Sequence, residues 1–291
     1  MDELGAILRA RRLSKHIGKS ELPVPIERYI EIAADGRGDI VLRYDNSLSD
    51  EESGHTLVVS GKRCIVVNGN HEPERRRFTA CHELGHIDLG LPSEHNRDSS
   101  QFARRSPNET LCDVFASELL LPGHLVKPRV EDSEIEFPAI EKLAGDFETS
   151  FAATGSQYAA MCDRPCAFVL AQRGMVRYAS RSKSLREGGG FVRPGVELPT
   201  GSLASRLRGS SSVDGPIEVS AAEWFDDWRR SGVLVEDARH FARWDQTLAL
   251  LWFEDDRMPS ASGLDDDDDE DPLLKPLDGV LPWPGKSRRR R

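Results

Sequence analysis

The chain has 291 residues, of which 38% are hydrophobic, and a formal net charge of -10 at pH 7. That length is enough for two domains, and the modest hydrophobic content indicates that part of the chain is a polar tail. Because no apolar stretch approaches the roughly 18 residues of a membrane-spanning helix and the N-terminus lacks the basic and apolar parts of a signal sequence, we expect a cytoplasmic protein.

The first 68 residues predict two helices followed by a small sheet. Two helical patterns lie within residues 1–34, and the first carries an apolar stripe made of Leu4, Ile7 and Leu8. Alternating apolar residues between turn residues then predict three short strands, at 40–44, 55–59 and 64–68. We expect the turn between the last two strands at Gly61–Lys62.

The next segment carries the pattern His-Glu-x-x-His in a run that reads as a helix. Residues four apart lie on the same face of a helix, so His82 and His86 can each present a ring nitrogen to one metal ion, and this geometry suits zinc. Glu83 lies beside the first histidine and can take a proton from a water molecule that the metal activates. Such a unit makes a nucleophile at neutral pH, and hydrolysis of an amide bond is its commonest use.

Two local features argue against an ordinary surface helix that happens to contain two histidines. An apolar stripe runs along the helix with both histidines on its border, and it consists of Phe78, Cys81, Leu84 and Gly85. We therefore expect a part-buried helix with its histidines at the edge of a cleft. Gly85 costs about 1 kcal/mol of helix propensity relative to alanine, which indicates close approach of another backbone.

The third ligand distinguishes the classes of zinc peptidase. A metzincin requires a histidine six residues after the motif, where this chain has Pro92. The alternative is a carboxylate on a following helix, and Glu109 lies at the N-terminal end of the inward face of the next strongly periodic segment. Asp113 is the second candidate, as a substitute ligand or as an acceptor for a histidine N–H, and His95 in a predicted loop is a weaker one. A plain first-turn glutamate, favoured by the helix dipole, is the other interpretation of Glu109.

Two signatures in this region resemble those of the ImmA/IrrE family of bacterial and phage metallo-endopeptidases. Members typically show R-F-T-x-A-H-E-x-G-H, followed by E-x-x-A-N-x-F-A-x-x-L-L-x-P, and the matching segments here are Arg77–His86 and Glu109–Pro122. The departures are mild. Cys81 and Cys112 replace small apolar residues, and Asp113 stands where asparagine is usual.

The resemblance implies a gluzincin-type zinc site formed by His82, His86 and Glu109, with Glu83 as general base. Zn²⁺ is the implied cofactor, and we expect that Mn²⁺ can act as an activating substitute. The resemblance also implies a protein substrate, since members of this family cleave helix-turn-helix repressors and so derepress stress-response, mobile-element or toxin-antitoxin genes.

In zinc peptidases of this general type, an edge strand can hold the substrate backbone in extended form by strand addition. We expect the strand that ends at Asn68 to have this role. An ordinary sheet strand is the alternative.

The remainder of the chain predicts helices, then strands, then a tail. Residues 140–158 have a helix-turn-helix pattern, but the second helix lacks lysine and arginine, so we interpret it as a packing unit without direct nucleic-acid contacts. A hairpin at 166–182 and a buried strand at 247–253 follow. An acidic run at 265–271 and a basic end at 286–291 are typical of a solvated tail.

The predicted fold class is α+β, with a zincin-like minimal metallopeptidase domain of a small sheet plus active-site helices, a smaller α+β domain and a disordered tail. We place the metallopeptidase domain at 1–130, a helical connector at 131–164, the second domain at 165–257 and the tail at 258–291.

Two functions of different classes fit these patterns. The first is a zinc endopeptidase that cleaves a regulatory protein, probed by Glu83→Gln. The second is a regulatory binding module for a repressor, a toxin or DNA, in which the zinc is structural. Three protein ligands with an open fourth position favour catalysis, whereas a closed site that includes Asp113 favours structure.

Overall fold

The computed structural model describes residues 2–36, 38–92, 106–209, 215–226, 228 and 232–254. In the first half of the chain the elements are α1 (Glu3–Ser14), α2 (Ile26–Ala33), β1 (Ile40–Asp45), β2 (Gly54–Val59), β3 (Lys62–Asn68), α3 (Pro73–Leu89), α4 (Pro107–Leu120) and α5 (Gly123–Glu131). In the second half they are α6 (Phe137–Phe147), α7 (Phe151–Met161), β4 (Cys166–Gln172), β5 (Met175–Arg181), α8 (Lys183–Glu187), α9 (Leu203–Arg208), β6 (Ile217–Ser220), α10 (Ala221–Trp224), β7 (Val233–Phe241) and β8 (Gln246–Trp252). The α+β prediction is confirmed.

The first sheet has the strand order β1-β3-β2, with β1 parallel and β2 antiparallel to β3. The prediction that the strand ending at Asn68 is a substrate-holding edge is wrong, because β3 is central and pairs on both sides. The Asn68 side chain instead donates hydrogen bonds of 2.8 Å to the carbonyls of Ser49 and Glu52 and so fixes the loop before β2. The edge that borders the histidine helix is β2.

A two-residue turn, Ser60–Gly61, joins β2 to β3, one position earlier than the predicted Gly61–Lys62. Both turn residues have positive φ, 51° and 78°. This is the pattern of a type I′ turn, whose twist matches that of the flanking strands.

The helix α1 forms as predicted, but its inward face differs from the prediction. Leu4 and Leu8 are 61% and 57% exposed, whereas Ala6 and Ala10 are fully buried. The small alanine side chains let α1 lie close to α4, and Arg11 on α1 pairs with the buried Glu118 of α4 at 3.0 Å. Close helix packing has therefore outweighed burial of the larger leucines.

The helices α6 and α7 pack on the second sheet, which has the antiparallel order β5-β4-β8-β7-β6. Gly155 of α7 lies against the ring of Phe168 on β4, and a side chain at that position would overlap the ring. This contact supports the interpretation of the helix pair as a packing unit.

Strands β4 and β8 are buried on both faces and separate two apolar cores. Phe168, Leu170, Leu248 and Leu250 join the core that also contains the buried residues of α3 and α4. The intervening residues Ala167, Val169, Ala249 and Leu251 join the second core. The described residues fall within one compact unit, Met1–Pro259, and the domain boundaries at 130, 164 and 257 stay a prediction. The predicted tail from 258 lies outside the described residues.

A buried carboxylate organises the second core. Glu236 on β7 accepts hydrogen bonds from the backbone N–H of Ala204 at 2.8 Å and from the indole N–H of Trp224 at 2.9 Å. These bonds tie the N-terminus of α9 and the helix α10 to the sheet. Burial raises the pKa of Glu236 more than its hydrogen bonds lower it.

No helix among the described residues has both the length and the apolar character needed to cross a membrane.

Candidate metal centre

Two helices bring three ligand-type side chains together. His82 and His86 lie one turn apart on α3, and Glu109 lies in the first turn of α4. The Nε2 atoms of the two histidines are 3.1 Å apart, the Nε2 atom of His82 is 2.9 Å from Oε2 of Glu109, and the Nε2 atom of His86 is 3.3 Å from Oε1 of Glu109. Among the described residues, this is the one group of three or more side chains whose ligand atoms lie close enough together to hold a metal ion.

The close approach of α3 and α4 depends on Gly85. A Cβ atom at this position would lie 3.3 Å from Cα of Cys112 and 3.2 Å from the ring of Phe115. The predicted close approach of another backbone is therefore confirmed. Ser106 fixes the N-terminus of α4, because its hydroxyl oxygen accepts a hydrogen bond of 3.4 Å from the backbone N–H of Glu109.

The donor set fits a zinc ion. Two ligand atoms that each lie about 2.1 Å from a tetrahedral zinc are about 3.4 Å apart. The separations of 2.9, 3.1 and 3.3 Å in the structure are close to that value. Two imidazoles and one carboxylate are also a common ligand set of catalytic zinc.

The electrostatics of the group favour a positive charge between the three side chains. Burial lowers the pKa of His82, but its hydrogen bonds to Asp113 and Glu109 outweigh this effect and raise the pKa to about 9. Burial raises the pKa of Glu109, whereas the hydrogen bonds from His82 and His86 outweigh burial and hold that pKa well below its usual range. A metal cation and protons therefore compete for the same atoms.

Asp113 contacts the far side of the first histidine. Its Oδ1 atom lies 3.0 Å from Nδ1 of His82, while Nε2 of the same ring faces the other two candidate ligands. Of the two roles considered for Asp113, the geometry therefore matches an acceptor for the histidine N–H, which fixes the tautomer and the ring orientation.

Glu83 is buried beside this group, with only 1% of its surface exposed. Thr56 of β2 donates a hydrogen bond of 2.8 Å from its hydroxyl to Oε2 of Glu83. The sequence patterns did not identify Thr56. The one available signal was the two-residue period of the strand, which places Thr56 on the same face as the small residue Gly54.

Residues 36–156 match the IrrE N-terminal-like domain family. The match contains Glu83 and all three candidate ligands. Over these residues the chain is similar to the ImmA/IrrE family of metallopeptidases.

Two relatives carry the same description, radiation response metalloprotease IrrE. The protein from Deinococcus deserti is 29% identical over 162 residues, which are 54% of this chain and 56% of the relative. The protein from Deinococcus radiodurans is 32% identical over 90 residues, which are 30% of this chain and 27% of the relative. The chain thus spans less than two thirds of the length of either relative.

A solved structure extends the likeness of the fold beyond the matched domain. A transcriptional regulator of Mycobacterium tuberculosis has a TM-score of 0.52 over 86% of this chain and 76% of that chain, with 13% sequence identity. At that identity the similarity concerns the fold alone.

The other histidines considered from the sequence lie apart from the three-residue group or outside the described residues. His71 contacts the carbonyl of Asp50 through Nε2 at 3.1 Å, and His124 contacts the carbonyl of Ile17 in the same way at 3.1 Å. His95 lies outside the described residues. The candidate site is therefore built from α3, α4 and the edge strand β2.

Proposed function

We propose that this protein is a zinc-dependent endopeptidase that cleaves a regulatory protein, such as a helix-turn-helix (XRE-type) repressor or an antitoxin. Cleavage would derepress stress-response, mobile-element or toxin-antitoxin genes. The observation that carries the proposal is a buried carboxylate, Glu83, held beside a three-ligand group of zinc-peptidase type. The radiation response named for both Deinococcus relatives supports a stress-related role.

The roles of the residues follow from their positions. His82, His86 and Glu109 would hold the ion, and Asp113 would keep the His82 ring oriented. When bound, zinc polarises the scissile carbonyl and lowers the pKa of water. Glu83 accepts the proton of the attacking water at its carboxylate and delivers it to the nitrogen of the leaving amine.

The edge strand β2 supplies a binding site for an extended peptide. The backbone N–H of Asn68 donates a hydrogen bond to the carbonyl of Ser53. Along an antiparallel pair, residues that bond to the partner strand alternate with residues that do not. The backbone groups of His55, Leu57 and Val59 therefore point toward β3. The backbone groups of Gly54, Thr56 and Val58 then point toward the outer edge. A substrate segment that pairs there lies alongside Glu83.

A cytoplasmic setting is part of the proposal. All five cysteines are buried and free of disulfides, as expected in a reducing compartment.

The test is cleavage of a defined protein. The full chain, loaded with Zn²⁺ or Mn²⁺, is incubated with a small helix-turn-helix repressor as candidate substrate, and the products are measured by intact mass spectrometry. We expect one cut in the repressor by the wild type and none by Glu83→Gln, with equal bound zinc in both proteins. An intact repressor with the zinc-loaded wild type contradicts the proposed function, and undiminished cleavage by Glu83→Gln contradicts the role of that residue.

A further inference from the structure

The side chain of Glu83 is held by a residue from a different element. A glutamate has three rotatable side-chain bonds, and its helix position alone leaves several rotamers open. The hydroxyl of Thr56 donates to Oε2 of Glu83 at 2.8 Å, across 27 positions of sequence. This contact joins the edge strand β2 to the helix α3 at the Glu83 carboxylate, the group that accepts the proton in the proposed reaction.

The contact exists because β2 and α3 run side by side with nearly equal repeats. Two residues of an extended strand advance about 6.8 Å, and four residues of a helix advance about 6 Å. Gly54 faces Thr79, and two strand residues later Thr56 faces Glu83, four helix residues after Thr79. The strand therefore follows one face of the helix.

Gly54 sets the distance between the two elements. A Cβ atom at this position would lie 2.6 Å from Cγ2 of Thr79 and 2.5 Å from the carbonyl oxygen of Val66. Real Cβ atoms do not approach that closely, so any larger residue would push β2 away from α3. The hydroxyl of Thr56 would then be too far from Glu83 to form its hydrogen bond.

We propose that Thr56 is a positioning residue for Glu83, which it holds in the rotamer that exchanges protons with water and the leaving amine. The inference rests on the proposed peptidase function. Misplacement of a catalytic group by about 1 Å can cost about 100-fold in rate. Thr56 thus acts through Glu83 and contributes to turnover rather than to zinc binding.

The test compares Thr56→Val, which keeps the shape and removes the hydroxyl, with Thr56→Ser, which keeps the hydroxyl. For Thr56→Val we expect kcat for repressor cleavage to fall about 10- to 100-fold, with KM and bound zinc within about twofold of wild type. Thr56→Ser should stay within about threefold of the wild-type kcat. Thr247→Val is the matched control, because it removes a strand threonine hydroxyl whose partner, His240, lies in the second sheet, and its kcat should be unchanged.

Three results would overturn the inference: an unchanged kcat in Thr56→Val, an equal loss in Thr56→Ser, or a change confined to KM. Crystal structures of the zinc-loaded wild type and both Thr56 variants give a readout that does not need activity. We expect one Glu83 rotamer in the wild type and in Thr56→Ser, and a displaced carboxylate in Thr56→Val. An unmoved carboxylate in Thr56→Val refutes the positioning role, whereas an inactive wild type with the expected rotamers refutes only the proposed function.

Discussion

Nδ1 of His82 lies 3.0 Å from Oδ1 of Asp113, on the opposite side of the ring from the nitrogen that faces Glu109. An acceptor in this position directs the ring and leaves Nε2 as the atom available to a metal. The chain carries aspartate where the family pattern has asparagine. Both residues offer an oxygen that can accept a hydrogen bond from the histidine N–H.

This geometry predicts a graded effect of substitutions at Asp113. Asp113→Asn keeps an acceptor, so zinc affinity should change by less than about threefold, whereas Asp113→Ala removes it and should weaken zinc binding about 10- to 100-fold. Competition with a fluorescent chelator measures both constants. Equal losses in the two variants would show that the carboxylate charge, or direct ligation, matters instead.

Metal removal should abolish activity while preserving the fold, because neither apolar core includes the three candidate ligands. Treatment with a chelator should leave the far-ultraviolet circular dichroism unchanged and lower Tm. The free energy of unfolding should fall by about 4 kcal/mol relative to the protein in Zn²⁺ at 1,000 times its Kd. Zn²⁺ should restore both Tm and cleavage.

Glu109→Ala is the control for that experiment. Without its carboxylate the group retains two imidazoles, so added zinc should raise Tm much less than in the wild type. An equal rise would assign the third ligand to another residue.

Gly54→Ala should reduce both stability and turnover. The added Cβ atom overlaps backbone and side-chain atoms on two sides, so we expect the free energy of unfolding to fall by about 1–3 kcal/mol. Gly145→Ala is the matched control, since a Cβ atom there meets nothing within 4 Å on an exposed position of α6. That variant should be neutral or more stable by up to about 1 kcal/mol. Chemical denaturation measures the free energy of unfolding of both variants, and equal stability of the two would contradict the packing argument.

Glu236→Gln should destabilise the second core by about 1–3 kcal/mol, because the amide cannot accept both donors that the carboxylate accepts. The effect should also depend on pH. Burial raises the pKa of Glu236 in the folded protein, so the folded state binds more protons than the unfolded state just above the ordinary glutamate pKa. The stability of the wild type relative to Glu236→Gln should therefore be highest at low pH and decrease as pH rises through the raised pKa. Denaturation at several pH values measures this difference, and an increase with pH would contradict the assignment.

The sequence predicted the elements and the ligand-type residues better than their tertiary relationships. The periodicity of apolar residues is sufficient to predict α3 and α4, because each helix carries a long apolar face. The spacing that places His82 and His86 on one face is a property of any helix. The order of the strands is not a local property, so the sequence does not show that β3 is central. Hydrophobicity alone does not indicate the inward face of α1, because its buried alanines are less hydrophobic than its exposed leucines.

Thr56 was missed for a related reason. Its role depends on how β2 lies against α3, and that arrangement depends on Gly54, Thr79 and the central strand together. A threonine in a strand has no distinctive local pattern. Contacts of this kind become visible only when two elements are placed side by side.

The two-residue turn Ser60–Gly61 fixes how far β2 is offset along β3. A strand shifted by one residue presents its opposite set of side chains to each face. Inserting or deleting one residue in this turn would direct His55 or Leu57 toward Glu83 and Thr56 away from it, although every residue of the candidate site would still be present. The length of a solvent-facing turn is therefore as strict a requirement of the site as the identity of its ligands.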